Sequence, residues 1–173
     1  MLTVIDGFAD GPEVANALDA WPSAGWGGWY TYESGKRVSR ADVQAIPWRI
    51  ANLLHRIATH SPPFLPDLSL WGAGLHEFPV GGSLGWHKDA EREPRMGLKR
   101  ERSAILYLCG DGNLEFRDGT QVAPVPGRLV VFDGSNEHRV AAVSQPRRLL
   151  SMFYYGAPTG TGATRADFSG GVR

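Results

Sequence analysis

The feature that most constrains the fold is a series of short apolar segments in the second half of the chain. Eight segments with strand-like composition follow one another between residues 68 and 157, separated by Gly, Pro, Asn or Asp. They are 68–78, 83–88, 102–109, 113–117, 120–123, 128–132, 137–143 and 147–155. Many short strands at close spacing are typical of a jelly-roll or a barrel. The sequence therefore predicts a mainly β fold.

The first part of the chain contains the candidate helices. Residues 2–6 have the composition of a short strand. Helical spacing of apolar residues predicts one helix over 13–21 and a longer one over 40–60, which a Pro-Pro pair ends. Between them, aromatic residues and glycines alternate in 26–32, which fits a strand with one apolar face or a flap over a pocket. We therefore expect an α+β domain with one or two N-terminal helices packed outside the sheets.

Length, charge and cysteine content limit the class of protein. The chain has 173 residues, enough for one domain, and its 18 Lys and Arg balance 18 Asp and Glu. A net charge of zero argues against an electrostatically driven nucleic-acid or membrane binder. The single cysteine, Cys109, cannot form an internal disulfide, and the N-terminus does not have the pattern of a signal peptide. We expect a cytoplasmic protein, either monomeric or a weak homodimer.

The distribution of helix-like and strand-like segments predicts the domain organisation of the chain. One domain is expected over residues 1–157, with its β core at about 68–157. Residues 158–173 are rich in Gly, Thr and Arg, a composition that favours a flexible C-terminal tail.

Three residues in the strand-rich half have the types and spacing of metal ligands. His87 and Asp89 stand two positions apart, so on a strand their side chains point to one face while Lys88 points away. His138 opens a later strand and is the natural third ligand. Two histidines and one carboxylate form the facial triad of non-haem Fe(II) oxygenases. A His-x-Asp pair alone occurs in many proteins, so the surrounding sequence has to support this interpretation.

That surrounding sequence contains five further patterns in a fixed order. They are FPVGGSLGWHKD (78–89), RSAILYLC (102–109), GNLEF (112–116), GRLVVF (127–132), and HRV (138–140) with RRLLSMF (147–153). In order and spacing they resemble the 2-oxoglutarate/Fe(II)-dependent dioxygenase superfamily, particularly its prolyl 4-hydroxylase-like branch. The resemblance spans most of the chain and implies a double-stranded β-helix, the jelly-roll that is also found in cupins.

The resemblance implies a role for each matching position. His87, Asp89 and His138 would hold Fe(II), and 2-oxoglutarate and O₂ would be the co-substrates, with ascorbate as a candidate reductant. The implied reaction is hydroxylation of an unactivated C–H bond in a peptidyl or amino-acid-like small-molecule substrate, with succinate and CO₂ as co-products. Because Asp89 is present, the halogenase variant of this chemistry, which lacks that carboxylate, is disfavoured.

Arg147 is the residue that the resemblance assigns to the far carboxylate of 2-oxoglutarate, with Tyr107 and Ser151 as further cofactor-binding candidates. A planar guanidinium matches a carboxylate through two parallel hydrogen bonds. The neighbouring Arg148 is a rival for the same role. Strand alternation favours Arg147, because a hydroxyl and an aromatic group, those of Ser151 and Phe153, then share its face.

The chain departs from the family pattern near the expected site. The aromatic residue before Pro-x-Gly is often Tyr in the family and is Phe78 here, so a hydroxyl contact is missing. Cys109 stands where the family usually has Asn. For substrate contacts the aromatic residues Trp86, Trp29 and Tyr32 are candidates, and ordinary core packing is the competing explanation for them.

Three alternative functions stay open at this point. A cupin-like metal-binding protein or oxygenase that does not use 2-oxoglutarate would lack a functional clamp at Arg147 or Arg148. A binding module with a decayed site would not need an intact triad and a correctly spaced arginine. A nucleic-acid demethylase shares the spacing around His87, but its usual second arginine, six residues after the clamp, is absent here, where Phe153 or Tyr154 stands.

Overall fold

The chain folds into two antiparallel β-sheets, with two helices packed on one of them. The computed structural model describes residues 1–22, 29–31, 37–40, 46–61, 63–67, 73–91 and 99–156. Within these residues, helix α1 spans Gly11–Asp19, helix α2 spans Trp48–Thr59, and a 3-10 turn spans Asp89–Glu91. The strands are β1 (Leu2–Ile5), β2 (Trp29–Thr31), β3 (Arg37–Arg40), β4 (Leu65–Pro66), β5 (Ala73–Phe78), β6 (Leu84–His87), β7 (Arg100–Cys109), β8 (Leu114–Phe116), β9 (Gln121–Val122), β10 (Leu129–Asp133), β11 (His138–Val140) and β12 (Arg147–Tyr155).

The strands form a larger and a smaller sheet. The larger sheet has the order β1-β10-β7-β12-β5-β3-β2, and β4 pairs with the end of β12. The smaller sheet has the order β6-β11-β8-β9, and every pairing among the described strands is antiparallel. Apolar side chains of both sheets meet in one buried cluster, so the sheets face each other as the two layers of a double-stranded β-helix. The structure confirms the predicted jelly-roll.

The two faces of the larger sheet have different partners. Side chains alternate along the central strands β7 and β12, so each strand sends every second residue to each face. One face meets the helices in a buried cluster that includes Ala104, Leu106, Leu150, Ile50 and Ile57. The other face meets the smaller sheet in a second cluster that includes Tyr107, Leu149, Leu114, Phe116 and Val140. The helices thus lie outside the β-helix, as predicted, and the interior between the sheets is left for the site.

Helix α1 begins at a complete capping box. The Asp10 carboxylate accepts a hydrogen bond from the backbone N–H of Glu13 (2.8 Å), and the Glu13 carboxylate accepts one from the N–H of Asp10 (3.0 Å). Pro12 stands in the first turn, where its missing N–H leaves no intrahelical bond unmade. These signals explain why the helix begins at Gly11. Both of its ends lie two residues earlier than those of the predicted range 13–21.

The prediction of one helix over 40–60 is wrong in its first part. Residues Arg37–Arg40 form β3, whose backbone pairs with β5, and α2 begins only at Trp48. Pro47 is the N-cap residue, and a residue that precedes a proline is disfavoured in the helical conformation. From that point the predicted apolar face is buried, as the burial of Ile50, Leu53, Leu54 and Ile57 shows.

The other sequence-based boundaries agree closely with the structure. The predicted segment 26–32 contains β2, and the predicted strand 68–78 contains β5. Three predicted stretches, 41–45 of the long helix, 68–72 of this strand and the tail 158–173, lie outside the described residues. In the described part of the chain, neither helix has the length and apolar character needed to cross a membrane.

Gly127, in the turn before β10, lets the backbone of the segment before α1 pack directly against that turn. Its φ is +80°, its N–H donates to the carbonyl of Tyr107 (2.8 Å), and its carbonyl accepts from the N–H of Ala9 (3.1 Å). A Cβ at this position would lie 2.1 Å from the carbonyl oxygen of Ala9. Gly119 also has a positive φ, +89°, but its Cβ would meet nothing within 4 Å.

We predict that Gly127→Ala destabilises the protein clearly more than Gly119→Ala does. Both variants acquire the left-handed backbone penalty of about 1–2 kcal/mol. Only Gly127→Ala adds a steric conflict with the backbone, which costs a further ~1–3 kcal/mol. The measurement is the free energy of unfolding from urea titrations of both variants, and equal losses would contradict the prediction.

Candidate functional site

Pairing of two strands of the smaller sheet brings the predicted histidines together. His87 is the last residue of β6 and His138 is the first residue of β11, and the two are direct partners across these antiparallel strands. Their ring centroids lie 4.2 Å apart. One ligand atom from each of His87, Asp89 and His138 lies within 4.8 Å of the other two. This spacing suits a single bound metal ion.

Asp89 reaches the histidines in a different way from the one predicted. Strand β6 ends at His87, and Asp89 opens the 3-10 turn instead of continuing the strand. The N–H of Ala90 donates to the carbonyl of Gly134 (2.9 Å), which fixes this turn. As a result the Asp89 carboxylate lies between the two rings, with one oxygen 3.7 Å from Nε2 of His87 and the other 3.7 Å from Nε2 of His138.

Each group of the triad is oriented by a hydrogen bond. Nδ1 of His87 lies 2.8 Å from the carbonyl of Gly85, and Nδ1 of His138 lies 2.9 Å from that of Asn136. Because a carbonyl oxygen can only accept, each Nδ1 donates, and each neutral ring keeps the lone pair of Nε2 for a metal.

The carboxylate of the triad is held by a buried hydroxyl. Ser103 donates to Oδ2 of Asp89 over 2.6 Å, and Ser103, Asp89 and His138 are 2%, 5% and 3% exposed. Phe132 covers the His138 ring edge-on, with 4.7 Å between the ring centroids. The donor set is therefore held by hydrogen bonds, with Asp89 and His138 buried and His87 partly exposed, and it is of the type that suits Fe(II) with several coordination positions left open.

A buried arginine lies in the same interior. The side chain of Arg147 is fully buried between the rings of Phe78 and Tyr107, with its guanidinium carbon 5.3 and 4.9 Å from their centroids. One nitrogen, Nη1, donates to the carbonyl of Gly112, while Nε and Nη2 have no hydrogen-bond partner in the part of the chain that the structure describes. Within the described residues, no carboxylate forms an ion pair with Arg147. A buried, unpaired cation is costly, and an anionic ligand would remove that cost.

The electrostatics of Arg147 and Tyr107 follow from this burial. Burial lowers the pKa of Arg147, while Tyr107 and Asp111 oppose that change. Burial also raises the pKa of the Tyr107 phenol, and the positive charge of Arg147 works against the increase. The Tyr107 hydroxyl is buried and has no hydrogen-bond partner among the described residues. The neutral phenol and the charged guanidinium are thus two donors that could serve the same carboxylate.

Arg148 lies on the opposite face of β12. Its Nε is 3.7 Å from a carboxylate oxygen of Glu77, and its guanidinium carbon is 5.7 Å from the ring of Trp21. Arg147, by contrast, lines the interior pocket together with Leu149, Ser151 and Phe153. The alternation predicted for this strand is confirmed, and the structure does not bring Arg148 to the pocket.

The pocket that contains the triad and Arg147 has mainly apolar walls. It encloses about 470 Å³, including the open space at its mouth, and its apolar lining includes Phe78, Leu84, Leu114, Val140, Leu149 and Phe153. Its further polar groups include His76 and Ser151, which are hydrogen-bonded to each other. Sequence reasoning missed His76. The available signal was its position two residues before Phe78, on the same face of β5.

Of the aromatic residues predicted to contact substrate, Trp86 is the one whose side chain the structure describes, and it does not line this pocket. Trp86 lies on the other face of the smaller sheet, where the guanidinium carbons of Arg117 and Arg139 are 4.0 and 4.9 Å from its ring centroid. It alternates with His87 on β6, so the two side chains point apart. Trp29 belongs to β2, where its backbone pairs with β3, and Tyr32 lies outside the described residues.

Comparison with known sequences shows which proteins this part of the chain resembles. Residues 73–156 match the family model described as the 2OG-Fe(II) oxygenase superfamily. This matched stretch is just under half of the chain. The chain is also 35% identical over 92 residues to a PKHD-type hydroxylase of Pseudomonas fluorescens (strain Pf0-1), a match that covers 46% of this chain and 41% of that protein. The match thus extends over about two fifths of the length of this curated relative.

Solved structures of prolyl hydroxylases share the fold of this chain. A Pseudomonas putida prolyl-4-hydroxylase has a TM-score of 0.62 at 22% identity, covering 89% of this chain and 91% of that one. A viral collagen prolyl hydroxylase from Paramecium Bursaria Chlorella virus-1, solved as a 2OG complex, has a TM-score of 0.62 at 12% identity, with coverages of 90% and 95%. A Trichoplax adhaerens prolyl hydroxylase, solved with a hypoxia inducible factor peptide, has a TM-score of 0.55 at 15% identity, with coverages of 89% and 83%.

We predict that Ser103→Ala weakens divalent metal binding by about 10- to 100-fold, because groups that orient a metal ligand typically contribute this much. The measurement is calorimetric titration of the apo protein with Mn(II) or Co(II). Ser144→Ala is the matched control, since that hydroxyl also donates to a carboxylate, that of Asp111, which is not part of the triad. Equal affinities of the Ser103 variant and the wild type would show that the hydrogen bond does not support a metal site.

Proposed function

We propose that this protein is an Fe(II)- and 2-oxoglutarate-dependent dioxygenase that hydroxylates an unactivated C–H bond, with succinate and CO₂ as co-products. The observation that carries the proposal is the buried guanidinium of Arg147 in the pocket that also holds His87, Asp89 and His138. A metal triad alone fits many reactions. A triad together with a buried cation that lacks a carboxylate partner fits an anionic co-substrate.

In this proposal the triad holds the metal through Nε2 of His87, Nε2 of His138 and the carboxylate of Asp89. The backbone carbonyls behind the two rings and the Ser103 hydroxyl behind Asp89 fix these donors before the metal binds. Bound Fe(II) with 2-oxoglutarate and O₂ supplies the oxidising chemistry, while the protein supplies binding, orientation and a dry pocket.

The role of Arg147 is to bind the carboxylate of 2-oxoglutarate that lies farther from the metal. Its free Nε and Nη2 form the two-pronged donor that matches a carboxylate, and the Tyr107 hydroxyl is a third donor nearby. Burial strengthens this ion pair because little water competes for the carboxylate. The cupin-like alternative without 2-oxoglutarate is not favoured, because it leaves the buried charge of Arg147 without a function.

The substrate we propose is a peptide or an amino-acid-like small molecule. The apolar walls of the pocket exclude water and suit a hydrocarbon group, such as the side chain that carries the C–H bond. Among the fold relatives, the enzyme from Trichoplax adhaerens was solved with a peptide. We further propose that the protein is cytoplasmic and either monomeric or weakly dimeric. In this proposal residues 1–157 form one domain, and the protein binds neither nucleic acid nor a membrane.

We predict that Arg147→Ala weakens 2-oxoglutarate binding by at least about tenfold, because it removes charge-assisted hydrogen bonds to a carboxylate. The measurement is an anaerobic titration of the Fe(II)-loaded protein with 2-oxoglutarate, following the weak visible charge-transfer band of the chelate. The neighbouring Arg148→Ala is the matched control, because it removes the same charge from the other face of β12.

The wild-type titration tests the function itself. A band that forms in the wild type and in Arg148→Ala, and that requires much more 2-oxoglutarate in Arg147→Ala, supports the proposal. If a folded, iron-loaded wild type forms no band at any 2-oxoglutarate concentration, the protein does not use this co-substrate, and the cupin-like alternative gains support.

A further inference from the structure

A second polar pair lines the pocket beside the triad and Arg147. His76 on β5 and Ser151 on β12 are hydrogen-bonded, with 2.9 Å between Nε2 and Oγ, although 75 positions separate them in the chain. Ser151 is 5% exposed, and both residues line the pocket. The pocket walls around them are mainly apolar, so a hydrogen-bonded pair at this place needs an explanation in terms of what the pocket binds.

Strand register shows where in the pocket this pair lies. On the inner face of β12, Phe153 is opposite Ser103, the residue that holds the Asp89 carboxylate. Ser151 is opposite Ile105, which is one inward-facing position farther from the metal ligands. Arg147 is two inward-facing positions beyond Ser151 on the same face. Ser151 therefore lies between the triad and the arginine, on the side of the triad.

Gly74 makes room for the pair. In the pairing of β5 with β12, Gly74 is opposite Ser151 and His76 is opposite Leu149. A Cβ at position 74 would lie 2.9 Å from Nε2 of His76 and 3.3 Å from Oγ of Ser151. The imidazole thus leans over the glycine toward Ser151, and so toward the metal end of the pocket. Any other residue at this position would force the ring or the hydroxyl to move.

The hydrogen bond between them can orient the serine hydroxyl. A hydroxyl has one donor and two acceptor sites, so when Nε2–H of His76 donates to Oγ, the Ser151 O–H is left to donate to a third group. Phe78, on the same face of β5 as His76, has no hydroxyl. The His76–Ser151 pair supplies a polar contact in a part of the pocket where Phe78 cannot.

We propose that His76 is a positioning residue for the co-substrate: it orients the hydroxyl of Ser151, already a cofactor-binding candidate, so that this hydroxyl donates to the carboxylate of 2-oxoglutarate nearer the metal. This inference rests on the proposed function. The co-substrate would then be held at both ends, by Arg147 at the far carboxylate and by the pair at the near one. Gly74 has a specific role in this arrangement, because it admits the imidazole.

The experiment measures 2-oxoglutarate binding directly, without turnover. Anaerobic Fe(II)-loaded protein is titrated with 2-oxoglutarate by absorbance, and Mn(II)-loaded protein is titrated by calorimetry. We expect His76→Phe and Ser151→Ala to raise the Kd for 2-oxoglutarate by at least about tenfold, the effect of losing a hydrogen bond to a charged group. His76→Gln keeps a nitrogen donor at similar reach and should recover part of the loss. Metal affinity without 2-oxoglutarate should stay at the wild-type level in all three.

A double variant separates positioning from independent contacts. If His76 acts through Ser151, the variant with both His76→Phe and Ser151→Ala binds 2-oxoglutarate about as weakly as Ser151→Ala alone. If the Kd of the double variant instead rises by the product of the two single-variant factors, the positioning role is wrong. In turnover assays, once a substrate is known, His76→Phe should raise the KM for 2-oxoglutarate much more than it lowers kcat.

Gly74→Ala tests the same arrangement without changing a polar group. It should raise the Kd for 2-oxoglutarate as His76→Phe does, whereas Gly11→Ala, whose Cβ meets nothing within 4 Å, should bind like the wild type. Normal 2-oxoglutarate affinity in folded His76→Phe, Ser151→Ala and Gly74→Ala would overturn the inference and leave the proposed function intact. Failure of the wild type itself to bind 2-oxoglutarate would instead overturn the proposed function, and this inference with it.

Discussion

The site is organised around the buried charge of Arg147, which has no carboxylate partner among the residues that the structure describes. Arg147 stays protonated at any accessible pH, and placing its guanidinium between two aromatic rings and away from water has a large electrostatic cost. The chain reduces that cost only in part, through the carbonyl of Gly112 and the faces of Phe78 and Tyr107. A fold that accepts this cost needs an anion in the pocket to recover it, and 2-oxoglutarate is the anion that the neighbouring triad suggests.

Much of this arrangement could be predicted from the sequence, because it depends on local pattern. The alternation along 147–155 placed Arg147 inside and Arg148 outside, and the order of short motifs around His87 and His138 indicated the jelly-roll. The alternation follows from the two-residue period of a strand, which is visible in a single sequence, whereas the motif order indicates the jelly-roll through its resemblance to the dioxygenase superfamily. The register that makes His87 and His138 direct partners follows from the same fold.

The features that could not be predicted depend on contacts between distant segments or on backbone geometry. The 3-10 turn at Asp89 is fixed by Gly134, and neither residue signals that contact in the sequence. The start of α2 at Trp48 depends on β3 pairing with β5, which competes with the helical pattern that begins at residue 40. The contact of His76 with Ser151 depends on the register of two strands and on the space left by Gly74.

Charge balance explains why metal and co-substrate belong together in this pocket. Among the groups assigned to binding, Asp89 contributes one negative charge and Arg147 one positive charge, so their formal charges cancel. A divalent cation at the triad makes the pocket strongly positive, and the dianion 2-oxoglutarate then restores neutrality in a region of low dielectric. The dianion is attracted strongly only after the metal is in place, since Asp89 would otherwise repel it. The metal should therefore bind first, and the co-substrate should in turn hold the metal, because each lowers the electrostatic cost of burying the other.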